Sequence, residues 1–269
     1  MHNFLPKLAC IAAACVIACE VSAQAVDTFI FPDNHEKTYQ DCVAASQLDA
    51  EAALEMSIRW QRLNGGNPAR HCQAMSLANL GDFEEAARLL EALAAADTAN
   101  AQVKAGLWHQ AGQMHSDAGN HQVAIEAFGR ALDYAPRRVE TLIDRAIAYA
   151  GHKEYWAAID DLNTYIDIHP RDALAYSLRA SAYRHLEMEG LARDDIERSL
   201  DIASDNPDAW LERGLLATLS GNGQEASAAW LRVLEIAPDS VAADIARAHI
   251  EAAALKHTDA ASPQKSKSE

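Results

Sequence analysis

A period of 34 residues constrains this chain more than any other feature. Thr141–Pro170, moved 34 residues forward, falls on Ala175–Ser204 with small and apolar residues in register. Moved 34 residues back, Leu142, Ala146, Ala158, Leu162, Tyr165 and Pro170 meet Trp108, Gly112, Ala124, Phe128, Ala131 and Pro136. A length of 269 residues fits either one compact domain or an array of repeats. The fixed period selects the array, in which no unit buries its apolar face alone and each stacks on its neighbours.

Composition agrees with closely packed helices. Hydrophobic residues make up 49% of the chain but aromatics only 6%, so alanine carries much of the apolar content. The formal net charge of -16 excludes the basic footprint that nucleic acids and anionic membrane surfaces require. It leaves room for a basic partner, although a solvated helical surface explains the charge equally simply.

The N-terminus reads as an export signal. His2 and Lys7 precede an apolar run, Leu8–Ala18, that is too short to span a bilayer. Ala23 and Ala25 occupy the two small positions of a cleavage site, which predicts a signal peptide over 1–25 and a mature chain from Val26. The competing reading is a lipobox, Val16-Ile17-Ala18-Cys19, with Cys19 as a lipidated first residue. Cys10, Cys15 and Cys19 lie in the segment to be removed, leaving Cys42 and Cys72 of the five cysteines. Two cysteines in an oxidising compartment predict a Cys42–Cys72 disulfide; two separate buried thiols are the alternative.

Downstream, 26–66 reads as a helical N-terminal cap. It has an extended lead-in, a short helix carrying Cys42, and a second helix with Asp49 at its N-cap. Asn64-Gly65-Gly66-Asn67-Pro68 ends that helix.

From residue 67 the pattern resembles the tetratricopeptide repeat (TPR) family. That family places a large apolar residue at repeat position 4, small residues at 8 and 20, apolar residues at 24 and 27, and often proline at 32. Five repeats fit: 67–100, 105–138, 139–172, 173–206 and 207–240. The markers are strong from the second onward, as in Trp108, Gly112, Ala124, Phe128 and Pro136, or Trp210, Gly214, Ala226, Trp230 and Pro238. Repeat one departs, with Arg70 at the large apolar position and no closing proline. A capping helix over 241–257 and a disordered tail over 258–269 complete the reading. The resemblance implies an all-α, right-handed superhelical solenoid of antiparallel helix pairs, here with a helical cap at each end.

The repeat frame also sets charges opposite one another. Arg145, Arg179 and Arg213 share position 7 of the first helix (helix A), and Asp161 and Asp195 share position 23 of the second (helix B). The register predicts structural ion pairs Arg145–Asp161 and Arg179–Asp195, and places Arg213 opposite Ala229 without such a partner.

Enzyme signatures are lacking: there is no Gly-rich phosphate loop, no CxxC and no HExxH. His109, His115 and His121 recur every six residues, not at the i, i+4 spacing of a helical metal site, so no metal or cofactor is expected. His71 beside Cys72 lacks an orienting third group. The resemblance points instead to a partner-binding groove lined by helix A. Its positions here include His109, Gln113, Ile143, Ile147, Ser181, Arg184, Leu211 and Leu215. The Lys/Asn clamp with which some TPR proteins hold acidic C-terminal peptides is absent, since His109, Gln113, Asp144, Ile143 and Ile147 stand at its positions. The expected function is a non-enzymatic protein-binding scaffold of the cell envelope, periplasmic, with protein partners, no nucleic acid and no transmembrane segment in the mature chain. The alternatives are a lipid-anchored assembly factor and an envelope enzyme with its site in the groove.

Overall fold

In a computed structural model of the chain, residues 35–96 and 100–261 are described. The expected leader, the Ala25–Val26 junction, Cys10, Cys15, Cys19 and residues 262–269 of the tail lie outside them. The described residues form thirteen α-helices and no strand, an all-α helical repeat array.

The helices fall into two units, divided after His152. The first contains α1 (His35–Leu48), α2 (Ala50–Arg62), α3 (Gly66–Asn79), α4 (Phe83–Ala95), α5 (Ala101–Asp117), α6 (His121–Tyr134) and α7 (Val139–Gly151). The second contains α8 (Tyr155–Ile168), α9 (Ala173–His185), α10 (Glu189–Ile202), α11 (Pro207–Leu219), α12 (Gly223–Ile236) and α13 (Val241–Ala261). Sequential helices pack as hairpins in both, and α5 also meets α7, as α9 meets α11.

Local sequence explains where the helices turn. Asp49 caps α2, accepting the Ala52 N–H at 3.0 Å. Repeat position 15, between helix A and helix B, lies in the left-handed region in all five repeats. Gly81, Gly119 and Gly221 adopt φ of 86°, 77° and 74° there. Lys153 and Glu187 hold φ of 65° and 59° at the same place, a conformation that side chains adopt at a cost. Within the hairpins of repeats one, two, four and five the crossing is set by small residues. Ala86, Ala124, Ala158, Ala192 and Ala226 at position 20 are all buried. At position 8, a Cβ on Gly112 would stand 2.6 Å from the Phe128 ring, and one on Gly214 would overlap Trp230. Large aromatics at position 24 fill the space that glycine leaves, so the two positions are read as a pair.

The two ends are closed differently. At the N-terminal end Cys42 on α1 is bonded to Cys72 on α3, with Cα atoms 6.1 Å apart and both residues fully buried. Tyr39, Trp60 and Ala69, on α1, α2 and α3, form an apolar cluster. At the other end α13 lays Ala242, Ala243 and Ala246 against Leu211, Trp230 and Val233, and His249 stacks on Trp230 with ring centroids 5.0 Å apart. No helix among the described residues is long and apolar enough to cross a membrane.

Candidate functional site

The first unit buries a polar ladder along its helix-A row. His71, fully buried on α3, bonds through Nδ1 to Tyr39 Oη and through Nε2 to Gln110 Oε1 on α5, both at 2.8 Å. Burial holds its pKa below the usual histidine value, so the ring is neutral. His109, the next residue at position 5, is also fully buried, beneath Phe128. Its Nδ1 meets Thr141 Oγ1 on α7 at 3.0 Å. Its Nε2 has no hydrogen-bond partner and faces Asp144 Oδ2 across 3.6 Å, beyond hydrogen-bond reach. Desolvation, with Arg138 adding to it, lowers the His109 pKa to about 3. His109 and Asp144 are therefore not an ion pair at neutral pH.

Asp144 is the exposed end of this arrangement, with its side chain 28% accessible. Gln113 Nε2 donates to its carboxylate at 3.0 Å. Burial nevertheless raises its pKa to about 6, and the neighbouring Asp117 and Glu140 charges push in the same direction. The sign of the linkage follows. A carboxyl whose folded pKa exceeds its unfolded value stabilises the fold below the unfolded pKa, and that contribution is lost as pH rises through about 6. Asp144→Asn should therefore stabilise the protein at pH 7 by about 1–2 kcal/mol, a value discounted for partial exposure, and by nothing at pH 4. Urea titrations at the two pH values check this, and an equal effect at both would refute the electrostatic cause.

The residues that the resemblance places in a groove have unequal surroundings. In the first unit, Gln113 and Ile143 are half-buried and Ile147 is 47% exposed, whereas His109 is interior. In the second, Ser181 and Leu215 are half-buried. Arg184 lies flat over α11, donating from Nε and Nη2 to the two Glu212 carboxylate oxygens at 2.6 and 3.3 Å. Leu211 is core: α13 covers it, and Leu215 packs on the same cluster. His109 and Leu211 thus correct the expected lining. Position 5 faces a groove only where no further helix or bulky neighbour covers it. The Ala-rich face of the final helix was the sequence signal for Leu211; nothing in the spacing announced the Tyr39–His71–Gln110 ladder.

Arg179 and Asp195, set opposite each other by the register, are joined by two bonds of 2.7 and 2.8 Å, and Arg179 Nη1 also donates to Asn163 at 2.6 Å. Arg213, expected to lack a partner, pairs instead with Glu225 on α12 at 3.1 Å; an arginine is long enough to reach one turn back from Ala229. Arg145 and Asp161 belong to different units; in its own unit Arg145 lies over the Tyr149 ring at 5.6 Å, and Asp161 is buried. Among the described residues no group of three or more His, Cys, Asp or Glu side chains is arranged to hold a metal ion.

An array of helical hairpins with small residues at each crossing, capped at both ends, defines a helical-repeat protein. Residues 111–183 match the tetratricopeptide repeat family. Solved structures with this fold include residues 41 to the end of MamA from Desulfovibrio magneticus RS-1. That protein is 20% identical, with 65% of this chain covering 97% of it at a TM-score of 0.56. YrrB, described as a TPR protein with an unusual peptide-binding site, is 15% identical, with 70% of this chain covering 95% of it at 0.52. The Cut9–Hcn1 hetero-tetramer of the APC/C is 16% identical, with 84% of this chain covering 45% of it at 0.58. No curated protein matches the chain in sequence.

Proposed function

We propose that this protein is an exported, non-enzymatic scaffold that holds a segment of a partner protein against the helix-A face. The observation that carries the reading is the state of that face in the first unit. Ile147 stands 47% exposed beside half-buried Ile143 and Gln113, on a scaffold whose other large side chains at the helix crossings are interior. An exposed isoleucine one helical turn from a half-buried one, with polar groups nearby to orient a ligand, suits an inserted peptide side chain. The peptide-binding site ascribed to YrrB is a precedent for this use of the fold. An oxidising compartment is supported by the buried Cys42–Cys72 bond together with the leader read at 1–25.

Crosslinking capture in the native envelope tests the proposal, with the mature chain and its Ile143→Asp/Ile147→Asp variant as baits. One dominant partner, lost in a variant whose circular dichroism is unchanged, is the expected result. Equal capture by both baits would move the site off this face. The leucines at 211 and 215 are unsuitable for the test, because aspartate there would detach α13 rather than report on binding.

A further inference from the structure

The repeat frame lets one part of the chain serve as the control for another. In the second unit Arg184 is at position 12 of its repeat, and Glu212 at position 6 of the next. Their side chains are 14% and 11% exposed and are paired through two nitrogens. Asp208, at position 2, lies within electrostatic reach of Glu212. The same register recurs between the second and third repeats without an arginine at position 12. Position 6 is Asp144, position 2 is Glu140, and position 12 is Ser116 in place of arginine. Position 13, His185 in the second unit, is Asp117 in the first, which adds a further carboxylate. Three acids therefore converge where the homologous place holds a guanidinium, and the Asp117 and Glu140 charges act on Asp144.

A second, independent observation points to a ligand. His109 Nε2 is fully buried, has no hydrogen-bond partner, and is aimed at the same carboxylate. Gln113 Nε2 donates to the oxygen that His109 faces, Asp144 Oδ2, at 3.0 Å. A planar cation seated on Asp144 would reproduce the Arg184–Glu212 pair from outside the chain. We propose that the helix-A face of the first unit recognises an arginine side chain of its partner protein, which pairs with Asp144 among Glu140, Asp117 and Gln113 while an adjacent aliphatic residue seats on Ile147. The proposal rests on the scaffold reading above and adds the chemistry of the bound segment: basic and apolar in alternation. The chain's net charge of -16 would draw such a segment in.

The test is fluorescence anisotropy of the mature chain with a short fluorescein-labelled peptide of alternating arginine and leucine. The same peptide with citrulline, and with glutamate, in place of arginine provides the comparison. Citrulline keeps the shape and loses the charge. The expected result is binding of the arginine peptide alone, weakened at least about tenfold by Asp144→Asn. Ser116→Arg should weaken it similarly, because it supplies from within the cation that Arg184 supplies in the second unit. Asp133→Asn, which removes one charge from an exposed site on α6, should leave affinity unchanged and so separates a site from general attraction. Equal binding of the citrulline peptide, indifference to both site variants, or no binding of the arginine peptide would each overturn the proposal. Partner capture lost in the Ile143→Asp/Ile147→Asp variant but retained in Asp144→Asn and Ser116→Arg would leave the scaffold reading standing and this one refuted.

Discussion

Replacing Cys42 and Cys72 with alanine together should lower unfolding stability by about 3–4 kcal/mol. The bond closes a loop with a sequence separation of 30 residues, and cross-linking a loop of that length removes roughly this much chain entropy from the unfolded state. Burial adds to the effect, because both sulfurs lie in the interior of α1 and α3 and leave small voids when removed. The loss should be local as well as large. Repeat arrays unfold in neighbouring segments, and α1 is fastened to the array through α2, α3 and this bond. Hydrogen exchange should show α1 and α2 losing protection before α5 and α6, and urea unfolding should shift to a lower midpoint. Reductant should have the same effect on the unmodified protein. A double variant within about 1 kcal/mol of the parent would mean that tertiary packing alone holds the N-terminal helices.

What the sequence revealed, and what it concealed, has a physical pattern. The fold was readable because repeat positions 8 and 20 must be small in every hairpin, so one constraint is written five times. Position 15 repeats in the same way, and there Lys153 and Glu187 show that the backbone geometry persists even without glycine. Pairs separated by a fixed number of turns were equally accessible, as with Arg179 and Asp195. Contacts between repeats were not. Whether a helix-A residue faces solvent depends on the next helix and on what covers it. Ile147 and Leu211 look alike in the sequence, yet one is 47% exposed and the other lies under α13. Repeat position 5 puts His109 in the expected groove lining, and its burial becomes intelligible only when Thr141 on α7 is seen to meet its Nδ1. The Asp144 cluster was hidden for a related reason: Asp117, Glu140 and Asp144 come from two repeats and converge only when the helices are stacked.

Arg179→Ala should cost about 3 kcal/mol, far more than an ordinary surface ion pair. The difference lies in what is left behind. Asp195 is 6% exposed, and its two carboxylate oxygens are each held by Arg179, through Nε and Nη2. Without the guanidinium, that carboxylate keeps its desolvation penalty and loses its counter-charge. The arginine carries further contacts: Nη1 donates to Asn163 on α8, and the guanidinium lies 5.5 and 5.9 Å from the Tyr176 and Tyr183 ring centroids. One residue thus ties α8, α9 and α10 together, and the bond to Asp195 is the foremost cause of the raised Arg179 pKa. Removing the charge from both partners should cost much less than removing one. Arg179→Met/Asp195→Leu is expected to recover most of the lost stability, since apolar groups of similar volume need no counter-ion. Urea unfolding of both single variants and the double variant closes the thermodynamic cycle. A double variant as unstable as the two singles added together would show that the bidentate pair contributes no coupling, and that Asn163 and the two tyrosines hold Arg179 in place instead.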